Sequence, residues 1–589
     1  MEIFSKLGWF FKERWKSYVS AIVALMVVAI LQLIPPRIIG IVIDEIAMNI
    51  ITTESLTRWL GILLITAIGQ YVLRYLWRVN IWGNAARLER IVRNRLYRHF
   101  TQMDSEFYQK YRTGDLMAHA TNDLRSLRMV AGAGILTMAD SLSVTIVTIT
   151  TMFLVVDWRL TLLAIIPLPF LALASRYLGQ MLHHRFRDAQ AAFSNMNNKV
   201  QESLQGIKVI KTFGQEKEDI EEFKIQTDNI LDKNQEVYKV DSLFDPALQI
   251  IIGISYVISI IVGGFLILDL QITVGDFVTF ISYIGMLVWP MFAIGRLFNI
   301  IERGSASYER IEILMNEKSS IKERQGATDE PAVGDLEFAI DSFTYPEDEE
   351  PALENIQFKL EKGKTLGIVG KTGAGKSTLL KLLLRDFDHY DGNIKFGGRD
   401  TRDYTFDALL NSIGYVPQDN YLFSTTIRDN IRFSDPKLPQ EDVERAAKIA
   451  DIHDDILEMP QGYDTQTGER GVSLSGGQKQ RVSIARALIK NPELMILDDS
   501  LSAVDAKTEE DILRGLKELR DDQTTIIVAH RLSSLMHADE ILVLEDGKIS
   551  ERGSHAELLQ QDGWYKDMYN KQQLEELAPI LGEGEEYGD

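Results

Sequence analysis

Six long apolar stretches, all before residue 300 of a 589-residue chain, limit the possible folds more than any other feature. They run over Tyr18–Leu33, Leu60–Leu76, Ile135–Val156, Leu160–Leu178, Ile250–Leu270 and Phe277–Leu297. Several reach the roughly 20 residues that a helix needs to cross about 30 Å of hydrocarbon. A soluble helix would carry a charged face. The run Ile250-Ile251-Ile252-Gly253-Ile254-Ser255-Tyr256-Val257-Ile258-Ser259-Ile260-Ile261-Val262 has none. The first half therefore reads as an all-α polytopic membrane domain of six spanning helices in a lipid bilayer.

Basic residues near the span ends set the orientation. Lys6, Lys12, Arg14 and Lys16 precede the first span, Arg87, Arg90, Arg93, Arg95 and Arg98 follow the second, and Arg185 and Arg187 follow the fourth. On the other side Arg58 and Arg159 stand nearly alone. The N-terminus and everything after the sixth span are thus expected in the cytoplasm, with the chain multi-pass in its membrane. Gly8–Lys16, with Trp9, Phe10, Phe11 and Trp15 among basic residues, reads as an interfacial helix, since no small-residue cleavage site follows the first span.

Residues 80–130 and 182–245 are polar, rich in helix formers and nearly free of Pro and Gly. Spans two to five are expected to continue as helices into the cytoplasm. The turns at their tips are expected near Arg112-Thr113-Gly114-Asp115 and Thr212-Phe213-Gly214-Gln215. Asp140 and Arg74 or Arg78 are ionisable groups in or beside spans, where charge is costly, and stand either in a cavity or at the membrane edge. Tyr256, Phe277, Phe280, Tyr283, Met286 and Phe292 suit either an adaptable apolar pocket or ordinary core.

Composition excludes several chemistries. With no Cys there is no disulfide, thiolate metal site or thiol nucleophile. Asp and Glu number 84 against 63 Lys and Arg, a net charge of −21, which argues against nucleic acid as a partner.

From about Asp335 short β-type runs alternate with helices, the pattern of a mostly parallel sheet in an α/β domain. Lys364–Val369 is a buried strand that leads into Gly370-Lys371-Thr372-Gly373-Ala374-Gly375-Lys376-Ser377-Thr378, a P-loop in its strand–loop–helix context. Its glycines let backbone N–H groups converge on phosphate at a helix N-terminus. Lys376 is placed for the β- and γ-phosphates of ATP, and the Ser377 hydroxyl for Mg²⁺. A second apolar strand, Leu494–Leu497, ends in Asp498 and Asp499, with Asp498 where a Walker-B carboxylate holds Mg²⁺.

Leu474-Ser475-Gly476-Gly477-Gln478 resembles the signature motif of ATP-binding-cassette proteins, and the resemblance covers nearly the whole chain. Thr113-Gly114-Asp115-Leu116, Trp158-Arg159-Leu160-Thr161-Leu162 and Trp289-Pro290 are similar to residues of exporter half-transporters. The resemblance implies a transmembrane domain over residues 1–315, with coupling helices near 107–123 and 206–217. A linker over 316–334, a P-loop nucleotide-binding domain over 335–573 and an acidic tail over 574–589 follow. It also implies that two such halves form the working unit, each ATP lying between the P-loop of one and the signature of the other.

Residue by residue, Tyr345 resembles the aromatic that stacks on adenine. Gln418 resembles the Q-loop glutamine at Mg²⁺, and Ser502-Ala503-Val504-Asp505 resembles the D-loop. His530 resembles the switch histidine at the γ-phosphate, and Gly468-Glu469-Arg470-Gly471 a segment that senses the crossed coupling helix. One position departs from the family pattern: Asp499 stands where members competent in hydrolysis carry Glu. Asp is shorter by one methylene, about 1.5 Å of reach. A misplacement of roughly 1 Å costs on the order of 10²-fold in rate, or about 2.7 kcal/mol. The site is therefore expected to bind ATP and hydrolyse it poorly, while the signature is intact.

That asymmetry resembles the degenerate-site half of heterodimeric bacterial multidrug exporters, whose partner half carries the catalytic Glu. The implied cargo is an amphipathic small molecule. Three other readings use the same scaffold; one of them, a non-catalytic assembly partner whose nucleotide site is only structural, is opposed by the retained Lys376, Gln418, Asp498 and His530. A homodimeric lipid flippase or peptide exporter would show lipid-stimulated rather than drug-stimulated ATPase. An ATP-binding regulatory or gated-channel subunit would favour a charged outer lining, and the outer loops here are short and poor in charge.

Overall fold

The computed structural model describes residues 2–582, apart from 347, 469, 470, 472, 473, 503, 505 and 520–522. It divides into two compact units, Met1–Gln102 with Tyr111–Glu317, and Met103–Lys110 with Lys318–Asp589.

Among the described residues, six helices, all in the first unit, are long and apolar enough to cross a membrane: Trp15–Ala47, Thr53–Thr101, Thr113–Val156, Trp158–Gln205, Glu216–Leu268 and Val274–Asn316. Only 6% of the most apolar window of the second is buried within the chain, so its apolar surface needs lipid or another chain to cover it. The first helix runs through Pro35 and Pro36. Pro35 has no N–H to offer the carbonyl four residues back, and Gln70 Nε2 donates to that Leu31 oxygen at 3.1 Å instead. The second and fifth helices extend well past their apolar windows, which gives this unit its long polar helical ends.

The fifth helix faces the fourth segment through a small polar seam, where Ser255 Oγ donates to the Ala164 carbonyl at 2.6 Å. Phe280 and Tyr283 of the sixth helix are fully buried in the core with Leu33, Leu160 and Leu287. The Tyr283 hydroxyl donates to the Leu33 carbonyl at 2.9 Å, so these two aromatics serve packing and line no open cavity. At the ends of the same helices Arg37 pairs with Asp276 at 2.5 Å, and Asp44 accepts from the Gly275 N–H (2.8 Å) and the Thr273 hydroxyl (2.6 Å). Asp44 thereby caps the start of the sixth helix from the first.

The N-terminal segment folds as helices Glu2–Lys6 and Gly8–Glu13, and Ile3, Phe10 and the intervening Leu7 are buried in one core with Leu88, Val92, Leu96, Leu124 and Leu127. Of the aromatics in this segment Phe10 is buried in the protein, while Trp15 is 55% exposed. The first helical tip is not a turn at Arg112–Asp115, because Thr113, Gly114 and Asp115 are already helical. The chain instead breaks after Thr101, forms a short helix over Ser105–Lys110, and breaks again before Thr113. The second tip is the helix Ile207–Phe213, closed by Gly214 at φ 65. Finally, the C-terminal helix Trp564–Gly582 continues through the start of the segment read as a tail, since extending a helix costs far less than nucleating one. Glu583, Glu585, Glu586 and Asp589 lie outside the described residues.

In the second unit, β1 (Leu336–Phe343), β2 (Leu353–Leu360), β4 (Asp391–Phe396) and β5 (Arg399–Asp400) form an antiparallel sheet in the order β2-β1-β4-β5. A six-stranded sheet runs β10-β9-β3-β8-β7-β6, built from β3 (Thr365–Gly370), β6 (Ile413–Val416), β7 (Leu494–Asp498), β8 (Thr524–Val528), β9 (Glu540–Glu545) and β10 (Lys548–Gly553). Strands β6, β7, β8, β3 and β9 are parallel. β7 and β8 are buried throughout, as strands covered on both faces must be. Parallel pairing brings the carboxyl ends of β3, β7 and β8 to one edge of the sheet, where ligands of such folds bind.

Candidate nucleotide-binding site

β3 ends at Gly370, and the chain then loops through Lys371–Gly375 into the helix Lys376–Leu383. Two glycines are required by the space. A Cβ on Gly370 would come within 2.1 Å of the Leu544 carbonyl of β9, and Gly375 adopts φ 97, a left-handed conformation costly to other residues. Lys376 is buried, and its ammonium donates to the carbonyls of Gly370 (2.8 Å) and Lys371 (2.9 Å). The loop thus holds its cation inside its own curve. Burial pushes the Lys376 ammonium below its ordinary value, while the charges of Asp498 and Asp499 favour its protonated form. Thr372 and Gly373 are exposed, Ala374 is buried, and Ser377 leaves its hydroxyl open at the helix start.

Asp498 is the last residue of β7 and is 6% exposed. Burial raises its carboxyl above the usual carboxylate range, and the neighbouring charge of Asp499 raises it further. The Tyr415 hydroxyl of β6 donates to Asp498 Oδ2 at 3.3 Å and opposes that shift, as do the charges of Lys376 and His530. Asp499 follows in a left-handed conformation, φ 46, with its N–H on the Val528 carbonyl at 2.8 Å. Ser502 is exposed and donates its hydroxyl to the Asp499 carbonyl at 2.9 Å. A hard divalent cation suits this donor set of hydroxyl and carboxylate oxygens.

The structure brings Lys376, Asp498, Asp499 and His530 together in one field, with His530 exposed at the end of β8. Tyr345 joins them, its hydroxyl 2.9 Å from Thr378 Oγ1 on the P-loop helix and its ring edge-on to Phe343 and Phe387. Gln418 is exposed just beyond β6, and Asn420 Nδ2 donates to its carbonyl at 3.4 Å. The signature is not part of this cluster. Ser475 caps the helix Gly476–Leu488, accepting from the Gln478 N–H at 3.2 Å, while Gln478 Oε1 accepts from the Ser475 N–H at 3.1 Å. Gln478 Nε2 also donates to Asp455 Oδ2 at 3.2 Å. Leu474 is buried, and Gly477 is half-buried; Ser475 and Gly476 stay open at the helix N-terminus, a position suited to an anion from outside the chain. Asp505, Glu469 and Arg470 lie outside the described residues.

Two contributors were not foreseen. Tyr415 acts on Asp498 because β6 lies beside β7, an adjacency that no local pattern reveals. Gln572, on the C-terminal helix, bonds the backbone on either side of Arg531, and its only sequence signal is a helical spacing from Tyr565 and Tyr569.

Residues 18–291 match the ABC transporter transmembrane region, and residues 353–502 match the ABC transporter family. The chain is 43% identical to the probable multidrug resistance ABC transporter ATP-binding/permease protein YheI of Bacillus subtilis, over 97% of this chain and 98% of that one. It is equally 43% identical to the multidrug resistance-like ATP-binding protein MdlA of Escherichia coli, over 98% and 97%. A solved bacterial Atm1-family ABC exporter with ATP bound superposes with a TM-score of 0.74 at 26% identity, covering 95% of this chain and 99% of its own.

Proposed function

Since the chain belongs to the ABC exporters, a membrane half of six apolar helices fused to an ATP-hydrolysing domain, we propose that it is one half of a heterodimeric multidrug exporter. In this reading its own site retains ATP and its partner's site does most of the hydrolysis. The carrying observation is Asp499, directly after the Walker-B carboxylate, beside a P-loop and a signature helix that are otherwise complete. Lys376 binds the phosphates of ATP, Ser377 and Asp498 hold Mg²⁺ with Gln418, Tyr345 stacks on the adenine, and His530 meets the γ-phosphate. Leu474–Gln478 faces the ATP held by the partner, and Ser502 with Asp505 forms the D-loop between the two sites.

The cargo in this reading is an amphipathic small molecule taken from the cytoplasm or inner leaflet, as the multidrug names of the relatives suggest. The N-terminus and the ATPase domain lie in the cytoplasm, on the side to which the basic residues point. The short helices Ser105–Lys110 and Ile207–Phe213 act as coupling elements between ATP binding and the spans. Differential affinity of ATP for the closed pair of ATPase domains drives the change of state.

The test is the native mass of the complex purified from its own membranes in mild detergent. Two different chains, the second carrying Glu after its Walker-B Asp, are expected. A complex built only of copies of this chain would overturn the heterodimer and leave Asp499 to catalyse hydrolysis itself.

A further inference from the structure

The C-terminal helix Trp564–Gly582 reaches back to the end of β8. Tyr565 is fully buried, and Trp564, Met568 and Tyr569 pack against the same core. Gln572 lies seven residues after Tyr565 and four after Met568, hence on the same helical face. Its side chain touches the switch segment twice. Gln572 Nε2 donates to the His530 carbonyl at 3.0 Å, and Gln572 Oε1 accepts from the Leu532 N–H at 3.0 Å. One side-chain amide therefore brackets Arg531 as a neighbouring parallel strand would, donating to the carbonyl before it and accepting from the N–H after it. Beyond it, Leu532 is buried, and the Ser534 hydroxyl donates to the buried Glu509 carboxylate.

The consequence falls on His530. Its side chain is exposed, so no packing fixes the imidazole, and its direction depends on the backbone that carries it. The clamp on the His530 carbonyl holds one of the two peptide planes that set that direction. We infer that Gln572 is a positioning residue that aims His530 at the terminal phosphate of bound ATP, so that the C-terminal helix helps this site tell ATP from ADP. The inference rests on the reading of His530 as the γ-phosphate contact. ADP lacks that phosphate, so a misaimed His530 costs ATP binding and leaves ADP binding unchanged.

The test uses the whole purified complex with Mg²⁺, photolabelled on this chain with radioactive 8-azido-ATP or 8-azido-ADP. Loss of one hydrogen bond to a charged phosphate is worth about tenfold in affinity. Gln572→Leu and His530→Ala are each expected to raise the half-saturating concentration of the ATP analogue by about that factor, with ADP-analogue labelling unchanged. The double variant is expected to be no worse than His530→Ala alone, because Gln572 acts through that side chain. Gln572→Glu keeps the acceptor for Leu532 and loses the donor to His530, and carries the same expectation should the leucine variant not assemble.

A Gln572 variant that binds ATP as wild type does while His530→Ala does not would overturn the inference. Equal loss of ATP and ADP labelling would overturn it too, since a merely structural role predicts that. Wild-type labelling by His530→Ala would instead remove the reading of His530 itself, and this inference with it.

Discussion

The Tyr415 hydroxyl donates to Oδ2 of Asp498 at 3.3 Å, across the β6–β7 pair. Burial raises both groups, Tyr415 well above its ordinary value and Asp498 above the usual carboxylate range. The bond opposes the shift of Asp498, because a donor stabilises the ionised carboxylate. Removing it in Tyr415→Phe lets the Asp498 carboxyl rise further. With Asp498 in its proposed role at Mg²⁺, which needs the ionised carboxylate, hydrolysis is then lost at a higher pH as the solution is acidified. The acid limb of the pH–rate profile is expected to move upward, with the rate above neutral changed by less than about threefold. An unmoved acid limb would separate Tyr415 from the titration of Asp498.

The same buried carboxylate costs the empty domain stability. A carboxyl whose folded value is raised binds its proton more tightly when folded than when unfolded. Its penalty is therefore absent below the unfolded value and complete above the folded one. Asp498→Asn keeps the shape and an acceptor for Tyr415 without the charge. The variant is expected to melt higher than wild type without nucleotide at pH 7–8, by about 2–4 °C for each kcal/mol relieved. The gain is expected to vanish toward the ordinary carboxylate range, with Mg²⁺-dependent ATPase lost throughout. Melting curves with pH check the sign, and equal melting at neutral pH would contradict it.

Much of this architecture is legible in the sequence, and the unreadable parts share a cause. The P-loop and the Asp498–Asp499 pair are local patterns, each a buried strand running into polar residues at a fixed spacing. The spans are equally local, since the bilayer demands length and apolarity from each helix by itself. What escapes are side chains whose partners lie far along the chain. The first helix runs through Pro35-Pro36, and the donor missing at the Leu31 carbonyl comes from Gln70 of the next helix. Ile3, Leu7 and Phe10 find their cover in Leu88, Val92 and Leu124, far along the chain. Tyr415 and Gln572 reach the site through sheet order and helix docking, which no short window encodes.

Asp104 carries the clearest such long-range bond. Its Oδ2 accepts from the Ser319 hydroxyl (2.8 Å), the Ser320 N–H (2.6 Å) and the Ser320 hydroxyl (2.9 Å), while Oδ1 caps Phe107 N at 3.0 Å. One carboxylate thus ties the start of the helix Ser105–Lys110 to the residues that follow the sixth long helix. Ser105 hydrogen-bonds to Asp386, which ties the same helix to the ATPase unit. Loss of a helix cap costs about 1 kcal/mol, which opens the local structure about fivefold more often. Asp104→Ala is expected to speed hydrogen exchange in residues 103–110 and 318–321 by about that factor, and to weaken the stimulation of ATPase by transported compounds while basal ATPase persists. Exchange at the wild-type rate in both segments would show that Asp104 bears no load.

Asp499 offers the sharpest test of the proposed asymmetry. Its backbone is fixed independently of its side chain: the N–H is held by Val528 at 2.8 Å and the carbonyl by the Ser502 hydroxyl at 2.9 Å, at φ 46. With the main chain pinned at both ends, the reach of the carboxylate toward an attacking water depends on side-chain length alone. Asp499→Glu adds one methylene, about 1.5 Å, and is expected to raise ATP turnover at this chain's own site by about 10–100-fold. The left-handed backbone suits Asp better than Glu, so a slightly lower melting temperature is expected alongside. Single-turnover hydrolysis of ATP photolinked to this chain reads this site apart from any partner. Turnover unchanged in Asp499→Glu but abolished in Asp499→Ala would mean that the shorter carboxylate already reaches the water, and the case for a poorly hydrolysing half would fall.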